Sequence, residues 1–158
     1  MKITVLGAGL VGSAIVRDLA KEKDFDLTVS DASAESLKRL GSGARLRTVQ
    51  SDLSKAANIM KLVSDADLVV GAMPGFMGLE TMRTVITAKK NIVDISFFPE
   101  DPFLLDQLAL KNDVTAIMDC GVAPGVSNML TAYAAAKLDK ADTALCYVGG
   151  LPKVRTWP

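Results

Sequence analysis

The chain has 158 residues, 49% hydrophobic and 23% charged, enough for one domain or for one domain and the start of another. Eighteen Lys and Arg balance eighteen Asp and Glu, which excludes the basic footprint of a nucleic-acid or acidic-membrane binder. His is absent, so no thiolate–imidazole zinc site can be built and the commonest neutral-pH base is missing.

Six short apolar runs, at 3–6, 27–30, 46–50, 68–70, 92–95 and 114–118, alternate with helical stretches. Continuous Val/Ile-rich runs of this length suit parallel strands covered on both faces. The first helix is expected over 10–21. Ser33 is the expected N-cap of a helix over 34–40, with Gly41 as its stop. Ser54 is the expected cap of a helix carrying Ile59, Leu62 and Val63. Gly78 should precede a helix through Met82, Val85 and Ile86. Asp101 followed by Pro102 reads as a cap and first helical residue, and Ser127 as the opening of a last, alanine-rich helix. A helix after each strand specifies an α/β doubly wound parallel sheet (Rossmann fold) in the order 3-2-1-4-5-6. A seventh run at 144–148, ending in Gly149-Gly150-Leu151-Pro152, is expected to be the start of a second domain.

Cys120 and Cys146 lie 26 positions apart without a CxxC pair. Reduced thiols and a cytoplasmic protein are expected. Glycines interrupt the apolar amino terminus, and no unbroken apolar segment reaches the roughly 18 residues of a membrane span. Neither a membrane nor a nucleic acid is expected as a partner, and no metal.

The first strand runs into Gly7-Ala8-Gly9-Leu10-Val11-Gly12, a GxGxxG sequence that opens a helix. Gly7 permits the tight turn, Gly9 leaves the backbone open to a pyrophosphate, and Gly12 lets the helix pack on the strand. Unpaired N–H groups and the positive end of the helix dipole then face the anion. Asp31 ends the second strand 19 positions after Gly12, where an acid can accept the ribose hydroxyls. Asp31-Ala32-Ser33 offers no adjacent Arg, so NAD is expected in preference to NADP. Asp52 and Leu53 close the third strand, either beside adenine or as a turn into the next helix. Ala72, Met73 and Pro74 follow the fourth strand across the switch point from the glycine loop and are expected along the cofactor.

Asp94 lies in an apolar strand, where a carboxylate is costly unless paired or at the sheet's mouth. A hydrogen bond to a neighbouring loop is its favoured reading. Asp119-Cys120-Gly121-Val122-Ala123-Pro124-Gly125-Val126-Ser127-Asn128 leaves the sixth strand through a Gly/Pro turn. Asp119, Gly121, Pro124 and Asn128 join Asp94 as substrate-side candidates, while Cys120 reads as a small hydrophobe and Ser127 as a cap. Without a His, a GxSxG elbow or a Walker lysine, nucleophilic catalysis has no support. In a dehydrogenase the cofactor carries the hydride.

The glycine loop, Asp31, Val93-Asp94-Ile95 and above all the Asp119 to Asn128 segment resemble the saccharopine dehydrogenase-like family, most closely the branch that includes lysine 6-dehydrogenase. Tyr147-Val148-Gly149-Gly150-Leu151-Pro152 continues the likeness. The resemblance implies an NAD(P)-dependent oxidoreductase acting on the CH–NH group of a small-molecule amino-acid substrate of the lysine or saccharopine type. It implies a dinucleotide domain over 1–140, and over 141–158 the first strand of a truncated catalytic and dimerisation domain through which a homodimer forms. Carried onto these residues, Gly7, Gly9, Gly12 and Asp31 bind the dinucleotide and the stretch from Gly121 to Asn128 faces the nicotinamide end. Members of the family are much longer, so no catalytic base is assigned here and the chain alone is expected to be inactive. The competing expectation is a dinucleotide-binding sensor or regulatory module without catalysis.

Overall fold

The computed structural model describes residues 1–41 and 43–147. Residues Met1–Cys120 form one compact unit and the residues from Gly121 onward a second. In the first, six parallel strands stand in the order β3-β2-β1-β4-β5-β6. They are β1 (Lys2–Leu6), β2 (Asp26–Asp31), β3 (Leu46–Gln50), β4 (Leu68–Gly71), β5 (Asn91–Asp94) and β6 (Ala116–Ile117). The helices between them are α1 (Leu10–Leu19), α2 (Ala34–Lys38), α3 (Ala56–Val63), α4 (Gly75–Thr87) and α5 (Asp106–Asn112). This is the doubly wound order expected, with the reversal between β1 and β4.

The period of two along each strand divides the apolar residues between two layers. Ile3, Val5, Leu27 and Val29 pack with Val16 of α1 and Leu37 of α2 on one face. Leu6, Val69 and Ile92 pack with Ile59 and Val63 of α3 and Met82, Val85 and Ile86 of α4 on the other. Each of these side chains, fully buried, contributes about 1.5–3 kcal/mol. Register follows, because a one-residue slip would turn each apolar set outward.

Several local expectations are corrected. The last strand is only two residues long and not five, since β6 is an edge that pairs through Ile92–Ala116 and Val93–Ile117 alone. Ser54 does not cap α3, because its hydroxyl and N–H both turn back to Asp52, and Lys55 takes the cap position. Helix α4 starts at Gly75 and contains Gly78, whose missing side chain makes room for the ring of Phe98. Asp101 does accept the Phe103 N–H (2.9 Å), but the residues it caps, Pro102–Leu105, form a 3₁₀ turn ahead of α5. Ser33 accepts the Ser36 N–H (3.2 Å) as expected, and Gly41 takes the left-handed conformation that ends a helix.

In the second unit the last helix, α6 (Val126–Ala135), is capped from Gly125, not Ser127. The Gly125 N–H donates to Oδ1 of Asn128 (3.0 Å). No strand forms over residues 144–147, which have no neighbour among the described residues to supply a ladder, and Val148 lies outside the described residues. Among the described residues no helix is long and apolar enough to cross a membrane.

Candidate dinucleotide site

The chain leaves β1 at Leu6 and turns through Gly7 at φ 103°, a left-handed value that favours glycine. A side chain at Gly7 would run into the carbonyl of Ala72, the residue after β4. The turn is pinned on both sides. The Gly7 N–H donates to the Ser30 carbonyl (2.8 Å), and the Ala72 N–H donates to the Leu6 carbonyl (2.8 Å). Gly12, in the first turn of α1, lies against the carbonyl of Gly7, where a Cβ would collide, and such a Cβ would also stand 3.2 Å from the Cβ of Ala72. Two of the three glycines are therefore packing positions. The third is different: a Cβ on Gly9 would meet nothing within 4 Å, so this side of the loop is open.

Helix α1 has Gly9 at its N-cap and no side-chain hydrogen bond there. Its first-turn N–H groups, on Leu10, Val11 and Gly12, are the donors an α-helix leaves unpaired. Leu10 and Val11 are exposed. An open glycine, an uncapped helix start and no first-turn acid make a cradle that suits a pyrophosphate.

Asp31 stands at the end of β2, as the sequence spacing requires, but its carboxylate faces the protein. Oδ2 accepts the Ala8 N–H and Oδ1 accepts the Ser33 N–H, both at 2.7 Å. The acid thus ties the glycine loop to the β2–α2 turn. Ala32 is exposed beside it, and its carbonyl accepts Nε2 of Gln50 (3.0 Å).

At the end of β3, Oδ1 of Asp52 accepts the Ser54 hydroxyl (2.6 Å) and N–H (3.0 Å). These bonds hold its carboxyl below the usual carboxylate range, helped by Lys55. Of the two readings left open for Asp52, the turn into α3 describes its hydrogen bonds. Leu53 is buried in the core. Ala72 and the Met73 nitrogen lie beside Gly7 of the glycine loop, and Pro74 follows as the N-cap of α4.

Asp94, at the end of β5, is fully buried. Oδ1 accepts the Ser96 N–H (2.6 Å), the loop hydrogen bond expected of it. Oδ2 has no partner among the described residues and rests over the bare Cα of Gly71. Burial pushes the carboxyl up to about 6, opposed by the Ser96 hydrogen bonds and reinforced by the negative charge of Asp119. Asp119 itself is exposed and left-handed (φ 57°). Burial, with the carboxylates of Asp94 and Asp119, raises the half-buried Cys120 thiol, which fits an unreactive cysteine. Gly121, Pro124 and Asn128 belong to the second unit. There Gly121 bridges to Gly125, and Asn128 accepts the N–H of Gly125 and the hydroxyl of Ser127 (3.2 Å). Sequence reasoning passed over Ser96. The Asp-x-Ser spacing after a strand, a frequent carboxylate turn, is the signal that could have found it.

The raised Asp94 carboxyl has a measurable consequence. Its folded value lies above its unfolded one, so the stability it contributes is present below about pH 4 and lost as pH rises through about 6. The loss is roughly 3 kcal/mol. Asp94→Asn removes the ionisation. The variant's urea stability relative to wild type should rise between pH 4 and pH 7 and then level off. A difference that stays flat across this range would contradict the assignment.

Residues 3–144 match the family described as "Saccharopine dehydrogenase NADP binding domain". The chain is similar to saccharopine dehydrogenase [NADP(+), L-glutamate-forming] of Saccharomyces cerevisiae, at 23% identity over 95% of this chain and 34% of that protein. It is also similar to carboxyaminopropylagmatine dehydrogenase of Synechocystis sp., at 25% identity over 84% of this chain and 37% of that one. The solved apo structure of the yeast saccharopine dehydrogenase superposes with a TM-score of 0.77 at 19% identity, covering 86% of this chain and 31% of that one. The chain thus spans about a third of the length of these relatives. The preference for NAD over NADP drawn from Asp31 is overturned, since both the family description and the yeast relative's name specify NADP. The physical reason lies in the hydrogen bonds of Asp31. The preference required its charge to face the ribose, and both oxygens are instead engaged by backbone N–H groups.

Proposed function

Because the chain belongs to the saccharopine dehydrogenase NADP binding domain family, we propose that it is the dinucleotide-binding part of an NADP-dependent oxidoreductase acting on the CH–NH group of an amino acid of the saccharopine type. The observation that carries this reading is the uncapped start of α1 above the open face of Gly9. In it the backbone N–H groups of Leu10, Val11 and Gly12 hold the pyrophosphate. The adenosine half lies beside Asp31, Ala32 and Ser33. Ala72, Met73 and Pro74 border the opposite side of the crevice, where ligands bind in sheets of this order.

The nicotinamide supplies the hydride chemistry when bound. The residues of this chain bind and orient. Asp31 keeps the glycine loop in shape, and Gly7 and Gly12 let β1, α1 and the β4–α4 loop close around one point. The similar yeast protein supports a saccharopine-type substrate, as its name states that reaction.

The test is a titration of the chain with NADPH, followed by nicotinamide fluorescence, with NADH in parallel. NADPH should bind saturably and more tightly than NADH. Folded protein that binds neither at millimolar concentration would overturn the reading, and tighter binding of NADH would overturn the cofactor assignment.

A further inference from the structure

One group in the crevice wall, Asp94, is buried without touching the open surface of the site. A carboxylate is an expensive way to hold a single N–H in a protein interior. Its contacts, however, lead in a definite direction. Oδ1 of Asp94 accepts the Ser96 N–H (2.6 Å), and the Ser96 hydroxyl, itself buried, donates to the Met73 carbonyl (3.0 Å). Met73 follows Ala72, whose N–H holds the end of β1 and whose carbonyl fills the space beside Gly7. The end of β5 is also joined to β4 directly, by the Ile95 N–H donating to the Gly71 carbonyl (3.1 Å). So a path of two side-chain hydrogen bonds and one backbone contact runs from the fifth strand to the phosphate loop. The Asp94–Ser96 bond is buried and the Ser96–Met73 bond part-buried, a setting in which hydrogen bonds are stronger than in water. A bond accepted by an ionised or partly ionised carboxylate is stronger again than a neutral one.

We propose that Asp94 and Ser96 are positioning residues that hold the β4–α4 loop against the glycine loop, and so set the affinity for the dinucleotide without touching it. The proposal rests on the dinucleotide reading of the crevice. Ser96→Ala removes only the bond to Met73, and Asp94→Ala removes the acceptor that orients Ser96. Asp94→Asn keeps an oxygen acceptor for the Ser96 N–H.

The experiment is NADPH titration of wild type, Ser96→Ala, Asp94→Ala, Asp94→Asn and the double variant Asp94→Ala/Ser96→Ala, each paired with a urea midpoint. Ser96→Ala should weaken NADPH about fivefold, as expected for one lost hydrogen bond. Asp94→Ala should weaken it at least as much, and Asp94→Asn should restore affinity to within about twofold of wild type. The double variant should bind no more weakly than Asp94→Ala, because the two residues act in series. A purely structural role would lower the urea midpoints and leave the affinities of the folded variants equal. Wild-type affinity in Ser96→Ala, or an Asp94→Asn as weak as Asp94→Ala, would overturn the relay. If Asp94→Ala does not fold, Ser96→Ala and Asp94→Asn decide the matter. A wild-type protein that binds neither NADPH nor NADH would overturn the dinucleotide reading instead, and the relay with it.

Discussion

Gly12→Ala is expected to lower stability by about 3 kcal/mol and to weaken NADPH more than tenfold. The added Cβ falls on the Gly7 carbonyl and lies 3.0 Å from its carbon. Neither atom can swing aside, since both are backbone in a turn held by the Ser30 carbonyl and the Ala8–Asp31 bond. Rotating α1 outward is the remaining escape, and it carries the N–H groups of Leu10 and Val11 away from the position proposed for the pyrophosphate. Overpacking against a side chain is often absorbed by a rotamer change, but overpacking against a pinned carbonyl is not. Equilibrium urea unfolding measures the first effect and nicotinamide fluorescence the second. The control is Gly9→Ala, whose Cβ meets nothing within 4 Å in the free protein. It should leave stability within about 1 kcal/mol of wild type and still weaken NADPH, because the open space it fills is the one proposed for the pyrophosphate. Equal stability losses in the two variants would show that the glycines have not divided their roles this way.

The second large effect is expected at Gly71→Ala. Its Cβ would take the place of Oδ2 of Asp94 and stand 2.8 Å from Cγ and 3.4 Å from Cβ of the same residue. The obstruction is a side chain, which in an exposed setting would move cheaply. Asp94 is fully enclosed and tied to Ser96, so it has nowhere to go without unpacking the end of β5. A loss of about 3 kcal/mol is expected. The decisive comparison is a double variant. Gly71→Ala/Asp94→Ala removes the collision and the buried carboxylate together, and it should recover at least half of the loss. A double variant as unstable as the sum of its singles would mean that Gly71 is required for some other reason, such as backbone conformation.

Much of the architecture was legible from local patterns. Val- and Ile-rich runs separated by amphipathic helices specify a parallel sheet, and the glycine loop marks where its order reverses. The strand order followed from handedness rules and matches the structure. What escaped were positions where tertiary contact outweighs a local preference. Gly78 reads as the residue before a helix, yet it sits inside α4, where its missing side chain leaves room for Phe98. Ser54 reads as a cap, yet Asp52 two residues earlier is the stronger acceptor and captures it. The run at 144–148 has the composition of a strand, but a strand is a property of a pair, and residues 144–147 have no partner among the described residues.

The site divides in the same way. Gly7, Gly9 and Gly12 could be placed from spacing, because the demand for a missing side chain is visible in sequence. The orientation of Asp31 could not, since an acid in that position can face a ribose or its own backbone with equal local propriety. The cofactor expectation failed at that point. Ser96 was silent for a related reason: its importance comes from a carbonyl 23 positions earlier in the chain, which no local pattern reveals.

Asp31 also bears on the thermodynamics of recognition. A loop rich in glycine loses more conformational freedom on being ordered than any other kind of segment. If a ligand had to impose that order, its affinity would be reduced by the entropy of each residue it stilled. Here the Ala8 and Ser33 N–H groups are gathered by one carboxylate, and that ordering is completed when the chain folds. The loop is shaped before any ligand arrives. The same carboxylate that failed as a selector between two cofactors thereby works as a strut that orders the glycine loop in advance.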